Sequence, residues 1–132
     1  MAFHGFDNSK PKPNPIYHTN VIMAMLDKHV IFCLDSIHDP KERAMVLKEL
    51  KEDREVIDIS YQELGEMCGN AIMVKDATTG DLCLVLSQRA LKGFTPEHRK
   101  ILESSYRIVA SDIKMIEIIG GGSARCMVAE LF

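Results

Sequence analysis

The chain has 132 residues, of which 46% are hydrophobic and 27% charged. This is the length and composition of one globular domain, and it excludes wholesale disorder. A net charge of −3 argues against a strongly basic surface that binds phosphate groups, so we expect no nucleic acid partner. No apolar run is long enough to span a bilayer and no secretion signal is visible, so we also expect no membrane partner and a cytoplasmic location.

The cysteines and histidines do not suggest a disulfide or metal framework. Cys33, Cys68, Cys83 and Cys126 are few and widely spaced, and they form no C-x-x-C pair. The histidines show none of the i, i+4 pairing that zinc sites use. We therefore expect neither a metal nor a cofactor.

The predicted elements alternate between strands and helices in chain order. Residues 1–15 are polar and proline-rich, so they predict an N-terminal arm or connector without regular structure. Short apolar runs at 17–26 and 29–34 predict a hairpin. A proline after an N-cap residue then predicts an amphipathic helix over 40–52, and a further strand follows at 55–59.

This order of elements recurs about fifty residues later. Asn-Val-Ile-Met at 20–23 returns as Asn-Ala-Ile-Met at 70–73, and Cys33-Leu34 returns as Cys83-Leu84, both at an offset of 50. The matches predict an α+β fold of two ββαβ modules, at about 16–60 and 61–132. The alternative is an ordinary α+β alternation in which the matching peptides are coincidental. Two such modules leave strand edges without partners, which favours a larger ring or an association.

Three consecutive glycines near the end of the chain mark the main candidate site. Gly120, Gly121 and Gly122 permit close approach to the backbone, and Arg125 and Cys126 follow at a predicted junction between this loop and a strand over 127–131. A guanidinium beside a thiol stabilises the thiolate, as a nucleophile requires. The alternative is a buried, unreactive cysteine, and this is the interpretation that we favour for the other three cysteines.

His18 is the histidine best placed for chemistry, because it lies at the start of the first predicted strand. A position at a strand end suits a side chain that faces a site. The alternative is a hydrogen-bonded histidine at a sheet margin, and the other four histidines are interpreted as surface residues.

The C-terminal motif Gly-Gly-Gly-x-x-Arg-Cys-Met at 120–127 resembles the nucleophile motif of the arginine deiminase and amidinotransferase superfamily. That resemblance implies the pentein fold, in which five ββαβ modules surround a central channel, so this chain would hold two of the five. It is closest to an amidinotransferase-like branch that includes citrulline hydrolases. The motifs that carry the closer likeness are Tyr-His-Thr-Asn at 17–20, Cys-Leu-Asp-Ser at 33–36, Gly-Asn at 69–70 and the segment 118–127.

The resemblance implies that Cys126 is the nucleophile and His18 the general acid and base, acting on a small guanidino or ureido substrate. Related enzymes usually carry His-x-Asp where this chain has Asn20, and an amide lacks the charge that grips a guanidinium. We therefore expect a ureido substrate such as citrulline. By the same resemblance, Asn20 binds substrate. The other expected substrate-binding residues are Asn70, Arg125, Gly121 and Gly122. Asn70 is included because it is the repeat equivalent of Asn20, and the favoured alternative for it is the capping of a strand at the core edge.

Compared with the family, three N-terminal modules and their acidic residues are missing from this sequence. We therefore expect a truncated or split-gene product that pairs with itself or with separate N-terminal modules. The competing interpretations are an inactive assembly or regulatory fragment and a small-ligand binding module. Whether water or an amine accepts the transferred group, which separates a hydrolase from a transferase, stays open.

Overall fold

In the computed structural model, which describes residues 3–7, 14–16 and 18–129, the N-terminal segment carries a short ribbon. Strand β1 (Phe6–Asp7) pairs antiparallel with β2 (Asn14–Pro15), and Gly5 forms a bridge with Ile37. The prediction that residues 1–15 hold no element was therefore wrong for this part. The pairing satisfies backbone groups that a composition rich in proline had suggested would stay in solvent.

The first module has the predicted ββαβ topology. Strands β3 and β4 form an antiparallel hairpin, and β5 returns parallel to β4 after the helix α2 has crossed over. A one-turn helix, α1, precedes the hairpin. The elements are α1 (Thr19–Ile22), β3 (Met23–Met25), β4 (His29–Phe32), α2 (Pro40–Leu50) and β5 (Glu55–Asp58).

The second module repeats the topology of the first. Its hairpin is antiparallel, and its third strand returns parallel to the second strand of the hairpin. Helix α3 links the modules, and α6 follows the last strand. The elements are α3 (Tyr61–Gly65), β6 (Ile72–Lys75), β7 (Leu82–Ser87), α4 (Gln88–Gly93), α5 (Pro96–Ser105), β8 (Arg107–Ser111) and α6 (Lys114–Gly120).

The two hairpins differ in length, which corrects the predicted equivalence of the cysteines. Met23 lies opposite Phe32 in the first hairpin, whereas Met73 lies opposite Leu84 in the second. The second β-strand of the hairpin is therefore displaced by two residues relative to the constant offset, so Cys33 and Cys83 are not equivalent positions. The extra residues lie in the turn at 76–81, most of which is exposed. The Asp76 carboxylate closes this turn by accepting hydrogen bonds from the backbone N–H groups of Thr78 and Thr79.

The predicted strand over 17–26 is helical in its first half. Residues 19–22 form α1, and only 23–25 are in a strand, while residue 17 lies outside the described part. The β-branched residues at 21 and 22 favour a strand locally. The helical turn instead buries Ile22, which is 1% exposed, in the core, so packing overrides local propensity.

One hydrophobic core serves both modules. Its largest fully buried side chains include those of β4 and β7, and the cluster continues through α5. A polar contact reinforces the junction, because His29 Nδ1 lies 2.9 Å from the Tyr106 hydroxyl oxygen and the backbone N–H of Lys28 donates to that oxygen. The modules are therefore fixed relative to each other. Among the described residues, no helix has the length and apolarity needed to cross a membrane.

Glu63 joins the linking helix α3 to the second module. Its carboxylate accepts from the backbone N–H of Ser60, completing a capping box, and from that of Thr95. It also lies 2.7 Å from His98 Nδ1. Burial alone would raise the pKa of Glu63, but the donors at Ser60, His98 and Thr95 hold it below its usual value.

Replacing Glu63 by Gln should remove part of the acid sensitivity of the fold. Because the folded pKa of Glu63 lies below the unfolded value, its ionised form stabilises the fold at neutral pH, and that stabilisation is lost as pH falls through the folded pKa. We expect Glu63→Gln to cost about 1–2 kcal/mol at neutral pH. Urea unfolding at several pH values should show that the difference in free energy of unfolding between the parent chain and Glu63→Gln narrows below about pH 4. If this difference in free energy of unfolding stays constant with pH, the ionised carboxylate of Glu63 does not stabilise the fold in this way.

Candidate active site

Cys126 lies in a short 3₁₀ helix, Ala124–Met127, and its side chain is exposed. Its backbone N–H donates to the carbonyl of Ser123 at 2.9 Å. The predicted strand over 127–131 is therefore wrong for Met127, which is in the 3₁₀ helix, and for residues 128 and 129, which are in no strand; residues 130 and 131 lie outside the described part. The helical turn places the thiol beside the preceding glycine loop.

The other three cysteines are buried, as predicted. Burial raises the pKa of the Cys33 thiol to about 11, and burial also raises the pKa of Cys68 well above its usual value. Both are therefore protonated at neutral pH. This leaves Cys126 as the accessible thiol of the chain.

Equivalent asparagines from the two modules converge on Cys126. Asn70 Nδ2 donates to Cys126 Sγ at 3.0 Å, and Asn20 Nδ2 lies 3.8 Å from the same sulfur atom. The two residues are 50 positions apart, which is the offset of the repeat. The thiol therefore lies at the junction between the modules, where both asparagines reach it.

Asn70 and Asn20 differ in what else they contact. Asn70 is 1% exposed, its Nδ2 also donates to the carbonyl of Asn20 at 2.9 Å, and its Oδ1 accepts from the backbone N–H of Arg125 at 2.9 Å. The Oδ1 atom of Asn20 is buried and has no hydrogen-bond partner within the described structure. A buried acceptor without a donor is costly to the fold.

Gly69 allows the two modules to approach each other at this point. A Cβ atom at Gly69 would lie 2.5 Å from the backbone oxygen of Val21 and 3.0 Å from the carbonyl carbon of Ile22. Both contacts are with backbone atoms of α1. Only glycine therefore fits between α1, which carries Asn20, and Asn70.

The three glycines of the C-terminal motif have separate roles. Gly121 ends α6 in the left-handed region, with φ of 69°, where glycine is favoured. A Cβ atom at Gly122 would lie 3.0 Å from Cys126 Cβ and 3.1 Å from its Sγ. A Cβ atom at Gly120 would have no neighbouring atom within 4 Å in the described structure. Gly122 is therefore the glycine that makes room for the nucleophile.

A buried pair behind the loop was not found from the sequence. Ser123 Oγ donates to Glu117 Oε1 at 2.5 Å, and the Glu117 side chain is buried while its Oε2 has no partner among the described residues. The backbone N–H of Gly121 also donates to the carbonyl of Glu117. The available signal was a single acidic residue within the apolar run of α6, because such a residue needs a partner when it is buried.

His18 is exposed and precedes α1 as its N-cap residue, and not as the first residue of a strand as predicted. It lines a cavity of about 330 Å³ together with Ile16, Val21 and Tyr61. Among the described residues, no hydrogen bond joins His18 to Cys126. Asn20, which follows His18 by two positions in the chain, reaches the thiol but does not line this cavity.

A second cavity, of about 240 Å³, lies between β3 and β6. Asn20 and Arg125 lie on its wall, so it adjoins the residues around the thiol. The guanidinium of Arg125 donates to the carbonyl of Val128 at 3.0 Å. This bond places one end of the guanidinium at the end of the 3₁₀ helix, and the expected role of Arg125 beside the sulfur atom stays a prediction.

No cluster of three or more His, Cys, Asp or Glu side chains that could hold a metal ion occurs in the ranges that the structure covers. The side chains that the described structure brings together at this site include an exposed thiol and two carboxamides.

Comparison with known proteins identifies the family of the chain. The family model of N,N dimethylarginine dimethylhydrolase, eukaryotic, matches residues 1–132. A search of curated proteins gave no match. The apo crystal structure of ArgZ, an arginine dihydrolase from the ornithine-ammonia cycle in cyanobacteria, has a similar fold with a TM-score of 0.64.

The likeness to ArgZ extends over 87% of this chain but only 17% of the ArgZ chain, at 14% sequence identity. At that identity it shows the fold alone, which is the expected pentein fold. The two modules, the family match over the whole chain and the shared fold agree with one another. The chain belongs to the N,N dimethylarginine dimethylhydrolase family of the pentein superfamily.

Proposed function

We propose that this chain carries the nucleophile of a pentein hydrolase that cleaves a C–N bond of a guanidino or ureido substrate. The observation that supports it most is the contact of 3.0 Å between Asn70 Nδ2 and the exposed sulfur of Cys126. An N–H donor at this distance orients the sulfur, and the sulfur of an accessible cysteine is the atom that attacks in covalent catalysis. The name of the family and the name of ArgZ both describe hydrolases of arginine compounds, which agrees with the guanidino member of this class of substrate.

The reaction we propose proceeds through a covalent intermediate. The thiolate of Cys126 attacks the planar carbon of the substrate and forms a C–S bond. The C–N bond then breaks, and the departing nitrogen takes a proton from His18. Water next attacks the same carbon and gives a proton to His18, and breaking the C–S bond restores the thiolate.

His18 is exposed at the start of α1, so its imidazole is open to a substrate and to water. The proposal requires a substrate that lies at Cys126 Sγ and brings its leaving nitrogen to the ring of His18. Contacts of this kind often form only in the complex with substrate, so a direct bond between the two residues in the free chain is not needed.

Asn20 is proposed to select the substrate. Its unpartnered Oδ1 is an acceptor beside the thiol, and it carries no charge. Guanidino and ureido groups both present N–H donors, but only a guanidinium gains from a carboxylate. An amide at this position therefore favours the neutral ureido group, of which citrulline is an example, over a cationic one.

Replacing Asn20 by Asp should shift preference towards cationic substrates. A charge-assisted hydrogen bond is worth about 1.5–3 kcal/mol, so we expect the ratio of kcat/KM for arginine to that for citrulline to rise by roughly tenfold or more. Competition assays with both substrates measure this ratio. Gln62→Glu makes the same change from amide to acid on an exposed residue of α3, and it should leave the ratio unchanged. An unchanged ratio in Asn20→Asp would remove Asn20 from substrate selection.

The proposal is tested by incubating the chain with arginine, N,N-dimethylarginine and citrulline and measuring release of ammonia or amine. Release that depends on Cys126 would support the hydrolase, and release only in the presence of an acceptor amine would favour a transferase. A reactive Cys126 without turnover of any substrate would favour the inactive assembly or regulatory fragment. Cytoplasmic location and association with a second copy or with N-terminal modules stay predictions.

A further inference from the structure

The carboxamide of Asn70 is fixed in orientation by its partners. Arg125 offers a backbone N–H, so the atom that faces it must be the acceptor Oδ1, at 2.9 Å. Asn20 offers a carbonyl oxygen, so the atom that faces it must be the donor Nδ2, also at 2.9 Å. That orientation leaves the second N–H of Nδ2 for Cys126 Sγ, at 3.0 Å.

Every donor of this carboxamide is therefore in use, and the residue is 1% exposed. A substrate acceptor that met Asn70 would have to break one of the two hydrogen bonds that its N–H groups donate, and a substrate donor would have to reach the second lone pair of Oδ1 on a residue that is 1% exposed. Asn20 differs, because its Oδ1 has no partner in the described structure and is the free amide acceptor beside the thiol.

We propose that Asn70 is a positioning residue for the nucleophile and does not bind substrate, which rests on the proposed function and revises the role expected from the sequence. Its carboxamide joins three segments, namely α1 through the Asn20 carbonyl, the turn before β6, and the 3₁₀ helix that carries Cys126. It holds the sulfur in one place by donating an N–H to it at 3.0 Å. Asn20 is left to contact the substrate.

The experiment measures alkylation of Cys126 by iodoacetamide in the parent chain and in Asn70→Asp. Aspartate keeps an oxygen for the Arg125 N–H but replaces both N–H donors by a charged oxygen. We expect the alkylation rate at neutral pH, divided by the rate in urea-unfolded chain, to fall roughly tenfold or more. Gln62→Glu, the exposed amide-to-acid control, should keep the parent rate.

A normalised rate within about twofold of the parent in folded Asn70→Asp would overturn the proposal. Asn70→Ala provides a neutral replacement that also removes both donors, and circular dichroism reports whether each variant is folded. A measurement on the parent chain does not depend on either variant. The side-chain amide protons of Asn70 should exchange with deuterated water much more slowly than those of exposed Asn14, and equal exchange rates would also overturn the proposal.

The outcome separates this inference from the proposed function, because alkylation requires no substrate. If Asn70→Asp slows alkylation but the parent turns over none of the tested substrates, the positioning role stands and the hydrolase proposal fails. If the parent is active and Asn70→Asp lowers kcat with KM unchanged, both stand. If Asn70→Asp raises KM alone, Asn70 binds substrate and the positioning role fails.

Discussion

Cys126→Ser should lose turnover by at least about a thousandfold while the fold keeps its stability. Serine is close to cysteine in size and can still accept the N–H of Asn70, so the change removes the nucleophile and little else. A hydroxyl without an adjacent general base is a far weaker nucleophile than a thiolate. Because the side chain is exposed, we expect the free energy of unfolding to change by less than about 0.5 kcal/mol. Activity assays and urea unfolding measure the two effects.

Cys83→Ser provides the matched control for this experiment, since Cys83 is a free but buried cysteine. It should retain turnover per folded molecule and lose stability. In the parent chain, iodoacetamide followed by peptide mass spectrometry should label Cys126 and leave the three buried cysteines unmodified. Labelling spread evenly over all four cysteines, or full turnover in Cys126→Ser, would rule out the proposed nucleophile.

Gly69→Ala should destabilise the chain by about 2–3 kcal/mol and disturb the site. The new methyl group would meet the backbone oxygen of Val21 at 2.5 Å, and no side-chain rotation relieves a contact with backbone. Helix α1 must therefore move, and it carries Asn20 towards or away from the thiol. Urea unfolding measures the loss of stability, and alkylation of Cys126 measures the disturbance.

Gly65→Ala is the appropriate comparison, because a Cβ atom at Gly65 has nothing within 4 Å and the residue lies in helix α3. Alanine has the better helix propensity, so this variant should be neutral or slightly more stable than the parent. If both variants lose stability equally, the close approach of α1 to Gly69 is not what makes glycine necessary.

The sequence was enough to predict the module topology, because the signals for it are local. The cap at Asp39, the capping box at Ser60 and the proline-started helix at Thr95 all mark helix starts that the structure contains. The offset of 50 did not reveal the two-residue displacement within the second hairpin. The length of the turn depends on the backbone conformation at 76–81, and the match between Cys33-Leu34 and Cys83-Leu84 gives no information about it.

The candidate site was predicted in part. The thiol of Cys126 and the two asparagines are brought together, as their motif and repeat positions suggested. The hydrogen bonds that distinguish Asn70 from Asn20 depend on the angle between the two modules, and a single sequence does not reveal that angle. Glu117 was missed for a similar reason, since its partner Ser123 is reached only when the glycine loop folds back on α6.

The longer turn between β6 and β7 makes this chain convenient to modify. Residues 77–81 are exposed, and the turn closes on itself through bonds to Asp76, so added residues there need not disturb the strands beneath. A fluorescent reporter or an affinity peptide attached to the exposed side-chain position of residue 77 would keep the bonds from the backbone N–H groups of Thr78 and Thr79 to Asp76. The molecule thus offers a natural attachment point for following its encounters with other proteins.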